Sequence, residues 1–136
     1  DGQVREAAPA FAKRLRNSNL EAEIELGLKF VASAQDGDGS WNLRLFPGAT
    51  VNDIGQLQSP TAATGLALLS FLGAGYDHYG EEYQKQVAGG LAYLVANQRP
   101  DGDLYVTKTR VPNDPAWLYS HGIATIALCE AYGMTS

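Results

Sequence analysis

An internal repeat is the feature that most limits how this chain can fold. Gly27 and Gly90 lie at the same point of two similar segments, and several residues around them keep the same spacing. The further pairs at this spacing, which we call the outer-helix offset, are Phe30 with Tyr93, Val31 with Leu94, Gln35 with Gln98 and Gly39 with Gly102. A slightly shorter spacing, the inner-helix offset, pairs Leu66 with Ile126, Ala67 with Ala127, Leu68 with Leu128 and Gly73 with Gly133. Self-similarity at a fixed period indicates two copies of one supersecondary unit.

Each copy contains one amphipathic helix, a Gln–Gly turn, a loop and one nearly all-apolar helix. The amphipathic helix suits an outer layer and the apolar helix suits an inner layer, as in a solenoid or a closed α/α barrel. We therefore predict an all-α fold of helical hairpins in a single domain, 1–136. Its parts are an N-terminal helix (1–18), repeat 1 (19–75) and repeat 2 (81–133), and we expect the chain to be a segment of a larger one.

Capping residues predict where these helices begin. Asn19 can cap the first outer helix, while Ser59 can cap the first inner helix with Pro60 at its first position. The second outer helix is predicted to begin near Glu81. Asp114 can cap the second inner helix, which should run to the end of its apolar pattern.

The turn between the two helices of repeat 1 has the sequence QDGDGSW, residues 35–41. Gln35 ends an outer helix, where backbone carbonyls lack intrahelical partners. Its amide can donate to a carbonyl and accept from an N–H, so it can tie one helix end to the start of a neighbour. Trp41 can then cover that amide and strengthen its hydrogen bonds by excluding water. We predict a structural clasp between repeats rather than a reaction centre.

The spacing G-x-x-[aromatic]-[aliphatic]-x-x-x-Q-x-x-x-G-x-W resembles the QW motif of squalene and oxidosqualene cyclases. In repeat 1 it is filled by Gly27, Phe30, Val31, Gln35, Gly39 and Trp41. In repeat 2 it is filled by Gly90, Tyr93, Leu94, Gln98 and Gly102, with Leu104 in place of the Trp and Tyr105 one position later. The resemblance to the prenyltransferase/squalene-cyclase superfamily implies an α/α toroid, here incomplete, with inner and outer helices.

The residues that carry catalysis in this superfamily are not matched. Squalene–hopene cyclases use a DxDDTA motif, and here Thr61 and Ala62 match the TA while Ser59 and Pro60 replace two aspartates. Neither replacement can protonate an alkene. Prenyltransferase β subunits use Asp, Cys and His on zinc, but no zinc-site spacing occurs around His121. We expect a domain that is non-catalytic as it stands, without metal or cofactor.

Two enzymatic alternatives stay open. The chain can be part of a terpenoid cyclase or prenyltransferase whose acid motif lies outside this segment. It can also be a glycan-active α/α barrel, since such enzymes combine paired carboxylates with aromatic platforms. Both turns carry such a group, but recurrence in the two repeats favours an architectural role. The two groups are Asp36, Asp38 and Trp41, and Asp101, Asp103 and Tyr105.

Candidate ligand contacts lie in and after the loops that lead into the inner helices, because inner-helix starts face the ligand in the enzymes that this chain resembles. On that ground we expect any cavity to be lined by Phe46, Asp53, Trp117, Tyr119 and His121. The alternative is that these residues simply pack the loops.

Charge and apolar content limit the partners. The net charge of −5 argues against nucleic acid, which needs a basic face. No apolar run is long enough to span a membrane. Cys129 is the single cysteine, which rules out an internal disulfide, and its apolar setting predicts a buried thiol. The expected partners are the rest of a parent toroid, a second copy covering the apolar ends, or a lipophilic small molecule.

Overall fold

A computed structural model describes residues 20–42, 59–106 and 116–135. In these ranges the chain forms four α-helices and no strands: α1 (Leu20–Ser33), α2 (Pro60–Gly73), α3 (Gln84–Asn97) and α4 (Ala116–Gly133). The predicted all-α class is therefore confirmed. The predicted N-terminal helix, the predicted Asn19 and Asp114 caps, Phe46 and Asp53 lie outside the described residues.

The start of α2 is capped as its sequence predicts. The Ser59 hydroxyl accepts the Ala62 N–H at 3.2 Å, and Pro60 occupies the first helical position, where a missing N–H does no harm. At the other end, Gly75 adopts φ +92 and its N–H donates to the Leu72 carbonyl at 2.9 Å. Both ends of the inner helix α2 are therefore well terminated.

The start of α3 differs from the prediction, because the helix begins at Gln84 and not near Glu81. The Asp77 carboxylate accepts the N–H groups of Tyr79 and Gly80 at 2.8 and 2.7 Å, which holds this segment in a turn. The helix therefore starts only after Tyr83.

Tyr83 itself takes a left-handed conformation (φ 56) and gives no side-chain cap. Its ring centroid instead lies 5.0 Å from those of Phe71 and Tyr76, so aromatic packing anchors this helix end.

The chain divides into two compact units, residues 1–30 and 31–136. The core of the second unit is built on α2, which packs against both α4 and α3. Phe71 and Leu68 are fully buried there. At Gly65 the approach of α4 is close, since a Cβ at that position would lie 3.1 Å from the Ala124 Cα. Small residues thus allow α2 and α4 to pack backbone to backbone.

α4 is mostly apolar, and its buried residues lie along one face. Its buried residues are Ala116, Ser120, Ala124, Ala127 and Ala131. Its large exposed apolar residues are Trp117, Leu118, Tyr119, Ile126 and Tyr132. The prediction of a buried Cys129 is wrong: the thiol is exposed because it lies on the uncovered side of the helix. Among the described helices, none has both the length and the hydropathy to cross a membrane.

Candidate functional site

The first turn, residues 35–41, is closed by its own backbone. The Asp36 N–H donates to the Ser40 carbonyl at 2.9 Å, and the Gly39 N–H donates to the Asp36 carbonyl at 3.0 Å. Gly39 adopts φ +89, a conformation that favours glycine. The Gln35 amide donates to the Gly39 carbonyl at 2.9 Å and so holds the turn against the end of α1.

This first turn seats the first part of α3. The Gln35 Nε2 also donates to the Gln86 carbonyl at 2.9 Å, which is the predicted tie between one helix end and the start of another. Beside it, Gly39 lies directly on Gly89: a Cβ on Gly39 would be 2.7 Å from the carbonyl carbon of Gly89. Because real Cβ atoms do not approach that closely, the contact requires glycine.

Trp41 connects the first turn to the neighbouring helices. Its backbone N–H donates to the Thr64 hydroxyl on α2 at 3.0 Å, and its indole N–H donates to the Val31 carbonyl at 2.7 Å. The ring lies 6.1 Å from that of Phe71 and is 3.0 Å from where a Cβ on Gly90 would be. Trp41 therefore joins the helix end, the inner helix and the next outer helix. The predicted cover of Gln35 by the indole stays a prediction.

The second turn, residues 98–104, repeats the geometry of the first. The Arg99 N–H donates to the Asp103 carbonyl at 2.9 Å, and the Gly102 N–H donates to the Arg99 carbonyl at 2.8 Å. Gly102 adopts φ +88, and the Gln98 amide donates to its carbonyl at 3.1 Å. The two backbone bonds and the glutamine bond that close the first turn thus have counterparts in the second, at the outer-helix offset.

The surroundings of the two turns differ. Gly39 is buried against α3, whereas no described atom lies within 4 Å of a Cβ placed on Gly102. The Gln35 side chain bonds across to a second helix, whereas the Gln98 side chain is exposed and, among the described residues, shows only the bond within its own turn. The second turn is formed like the first but seats no described helix.

A cavity of about 410 Å³ opens beside the second turn. It lies between the turn and the first part of α4, and its lining residues are Asp101, Gly102, Asp103, Trp117 and His121. The cavity therefore combines two carboxylates, an indole and an imidazole on one side of the protein.

Asp103 organises this cavity. One carboxylate oxygen accepts the Trp117 indole N–H at 3.0 Å, and the other accepts the Tyr105 N–H at 2.9 Å. Asp103 is buried, so these bonds offset the loss of its hydration. Asp101 is exposed, lies 3.5 Å from Arg99 and accepts the Asp103 N–H at 3.2 Å. The buried carboxylate thus holds the ring of Trp117 in a set orientation.

His121 has the same acceptor role in repeat 2 that the Thr64 hydroxyl has in repeat 1. Its Nδ1 accepts the Leu104 N–H at 3.2 Å, just as the Thr64 hydroxyl accepts the Trp41 N–H. An accepting Nδ1 is unprotonated, so the ring proton of the neutral imidazole is on Nε2. The Asp103 carboxylate is 3.8 Å from Nδ1, outside hydrogen-bond distance.

This arrangement does not form an Asp–His base pair. In such a pair the carboxylate accepts the Nδ1 proton and leaves Nε2 free to take another, whereas here Nδ1 is already used by Leu104. The His121 ring can offer an N–H donor at Nε2, and the carboxylates can accept. The site can therefore bind by hydrogen bonds and by contact with the indole.

The predicted ligand contacts are placed as follows. Trp117 and His121 line the cavity together, whereas Tyr119 is exposed on α4 and is not among its lining residues. Phe46 and Asp53 fall outside the described residues. Whether any of the five binds a ligand stays a prediction.

Sequence reasoning assigned Asp103 to a recurring turn and missed its part in the cavity. Its counterpart in the first turn is Ser40, so the acid does not recur. The first-turn acid that does recur is Asp38, which matches Asp101 at the same offset. A comparison of the two turns residue by residue would have singled out Asp103.

The charges in the first turn are set by local hydrogen bonds. The Ser40 hydroxyl and backbone N–H donate to Asp38 at 2.7 and 2.9 Å, and they lower the pKa of that carboxyl. Burial raises the pKa of the Tyr93 phenol on α3, and the negative charge of Asp38 raises it further. In the described part of the chain, no group of three His, Cys, Asp or Glu side chains is placed to hold a metal ion.

Comparisons with protein-family models, with curated proteins and with solved structures found no match to this chain. The features of this chain that bear on its function are therefore the two turns, the cavity and the exposed apolar side of α4.

Proposed function

We propose that this chain is a repeat module of the squalene-cyclase/prenyltransferase type, an incomplete α/α toroid that is non-catalytic as it stands. It acts as a structural or protein-binding module that stacks helical hairpins. Its partner is a further hairpin of the same kind, from the rest of a parent toroid or from a second copy. The exposed apolar residues of α4 also suit a lipophilic ligand.

One observation carries this proposal: the second turn duplicates a turn that already seats a helix. In the first turn, Gln35 bonds to Gln86 and Gly39 lies on Gly89. The second turn has the same backbone and glutamine hydrogen bonds and the same glycine conformation, and no described atom lies within 4 Å of a Cβ on Gly102. α2 packs against both α3 and α4, whereas α4 carries large exposed apolar residues on one side. By analogy with α2, that side of α4 is expected to be covered by a following hairpin.

A second candidate is a glycan-active or glycan-binding module. The cavity beside the second turn favours it, since Asp103 and Asp101 can accept sugar hydroxyls and Trp117 can stack on a sugar ring. Binding of oligosaccharides, measured as a rise in the melting temperature that Trp117→Ala removes, would support this candidate.

The repeat proposal is tested by adding a third repeat. Residues 76–135 are appended directly after Thr135, a junction that keeps the inner-helix offset between Gly73 and Gly133. The added hairpin should cover Leu118, Ile126 or Tyr132, and burying two such side chains contributes about 3 kcal/mol. Urea denaturation should therefore show a single transition at a higher midpoint with a steeper slope.

A matched control is the same three-repeat protein with Gly102→Asn at the original position 102, where the added hairpin should lie, and not in the appended copy. Asn tolerates positive φ, but its side chain prevents a helix from lying on the turn. The control should lose most of the gain. If the three-repeat protein unfolds at the original midpoint, or if the control is equally stable, the stacking proposal is wrong.

A further inference from the structure

We propose that copies of this chain associate head to tail, with the second turn of one copy seated on the exposed face of α1 in the next. This inference rests on the proposed function and names its partner as a second copy. The exposed face is defined by Ile24, Gly27 and Val31, and we call it the α1 face.

The α1 face is the counterpart of a face that is buried in repeat 2. At the outer-helix offset, its three members match Val87, Gly90 and Leu94, which are the buried residues of α3. In α1, by contrast, Ile24 is 46% exposed, Gly27 is exposed and Val31 is half-buried. The pattern that is covered in α3 is thus uncovered at two of its three positions in α1.

In repeat 2, the groups that cover this face of α3 belong to repeat 1. A Cβ on Gly90 would lie 2.9 Å from Leu68 and 3.0 Å from the Trp41 ring, so glycine is needed for their approach. No described atom lies within 4 Å of a Cβ on Gly27. Gly27 therefore offers the same recess without an occupant among the described residues.

The other end of the chain offers the matching occupant. Leu128 on α4 is the counterpart of Leu68 at the inner-helix offset and is half-buried, so it is the side chain offered to the Gly27 recess. Leu104, the counterpart of Trp41, is buried within its own chain and is not offered to a neighbour. The exposed Gln98 is the counterpart of Gln35, whose amide bonds to Gln86. Seated on α1, Gln98 would donate to the carbonyl of Glu23, which occupies the position of Gln86.

One difference between the helices bears on the fit. Leu26 occupies the position of Gly89, and a Cβ on Gly89 would lie 3.3 Å from the Gln35 Nε2 and 3.5 Å from the Gly39 Cα. The tightest of these Cβ contacts is to the end of a flexible side chain, so a small shift of the Gln98 amide admits the Leu26 Cβ. The remaining carbons of Leu26, which is 62% exposed, must point away from the seated turn.

A second copy is the occupant that fits both uncovered surfaces at once. Each chain carries one complementary pair, the α1 face and the second turn, in the arrangement that joins the two repeats within the chain. Such contacts are heterologous, so a dimer still has one surface of each kind uncovered and can grow further. The mass in solution should rise reversibly with protein concentration.

The test blocks each surface separately and then mixes the two variants. Gly27→Leu fills the recess in the α1 face while improving helix propensity, so it should not unfold the chain. Gly102→Asn blocks the second turn. The control Ala22→Leu adds the same side chain to an exposed position of α1 away from the face. Circular dichroism shows that each variant is folded.

We expect light scattering to show association for the wild type and for Ala22→Leu. Gly27→Leu alone and Gly102→Asn alone should stay monomeric, because each has only one usable surface. An equimolar mixture should form a 1:1 dimer that does not grow, joining the intact turn of the first to the intact face of the second. Gln98→Ala should weaken wild-type association by about tenfold, the value of one hydrogen bond.

Several results would overturn the proposal. A wild-type chain that stays monomeric up to about 1 mM has no such contact. Association that survives both blocks uses another surface. Nuclear Overhauser contacts from Ile24 to residues 1–19 would show the α1 face covered from within the chain. If the three-repeat protein gains stability while the wild type stays monomeric, the stacking function stands and only self-association falls.

Discussion

Gly39 and Gly89 are in direct backbone contact, and a Cβ on Gly39 would lie 2.7 Å from the Gly89 carbonyl carbon. This contact brings the first turn against α3 closely enough for the Gln35 amide to reach the Gln86 carbonyl at 2.9 Å. The junction between the repeats is thus made largely by backbone atoms. Side chains of ordinary size at its centre would separate the two helices.

Alanine at the two turn glycines should have unequal effects. Gly39→Ala and Gly102→Ala share the strain of a positive φ, which costs about 1 kcal/mol or more in each. Only Gly39→Ala also places a methyl group into α3. We expect urea denaturation to show a loss of about 3 kcal/mol for Gly39→Ala and about 1 kcal/mol for Gly102→Ala. Equal losses would mean that the contact with α3 is unimportant.

The two glutamines give an independent matched pair. Gln35→Ala removes a bond to another helix as well as the bond within the turn, whereas Gln98→Ala removes only the latter among the described residues. The free energy of unfolding should fall by about 1–2 kcal/mol for Gln35→Ala and by less than about 0.5 kcal/mol for exposed Gln98. Both variants are measured at low protein concentration, so that association does not contribute. A larger loss at Gln98 would contradict the assignment.

Titration of Asp38 should depend on Ser40. The Ser40 hydroxyl is the largest cause of the lowered pKa of Asp38, so Ser40→Ala should raise that pKa toward its usual 3.8. Because the folded pKa is depressed, the stabilisation is present above the unfolded pKa and is lost as the pH falls through the folded pKa. The stability difference between wild type and Ser40→Ala should therefore shrink at acid pH.

Carboxyl carbon chemical shifts measure this titration residue by residue. Asp77 serves as the internal control, since backbone N–H groups of Tyr79 and Gly80 lower its pKa without any help from Ser40. The Asp77 titration should be the same in both proteins. An unchanged Asp38 titration would show that the hydroxyl does not stabilise the carboxylate.

Asparagine in place of the buried or the exposed acid of the cavity should have unequal effects on the free energy of unfolding and on a spectroscopic signal. Asp103→Asn weakens the bond from the Trp117 indole, and the loss of a charged acceptor should cost about 1.5–3 kcal/mol. Asp101→Asn removes an exposed pairing with Arg99, worth less than about 1 kcal/mol. The indole N–H resonance of Trp117 should move only in Asp103→Asn. A resonance that stays in place would mean that Asp103 does not orient the ring.

Much of the fold could be predicted because its signals are local. Ser59 and Pro60 mark a helix start by their own chemistry, and the structure confirms both. Gln35 at a helix end next to a glycine turn predicted an inter-helix bond, and Gln86 supplies it. The start of α3 was misplaced because Asp77 turns the chain before the helix begins.

The cavity was harder to predict because it depends on three-dimensional register. The inner-helix offset pairs His121 with Thr61, yet the structure gives His121 the part that Thr64 has in repeat 1. The Trp41–Thr64 bond spans 23 residues and the Leu104–His121 bond spans 17, so the shorter connection brings a different residue to the turn. Exposure of Cys129 likewise depends on which side of α4 is covered.

The exchange of Thr64 for His121 gives the two joints of this protein different access from outside. The Thr64 hydroxyl that accepts the Trp41 N–H belongs to a fully buried residue. The His121 ring that accepts the Leu104 N–H also lines the cavity beside the second turn. A molecule bound in that cavity would therefore touch the very side chain that fastens the second turn to α4, whereas the first joint is closed to such a molecule.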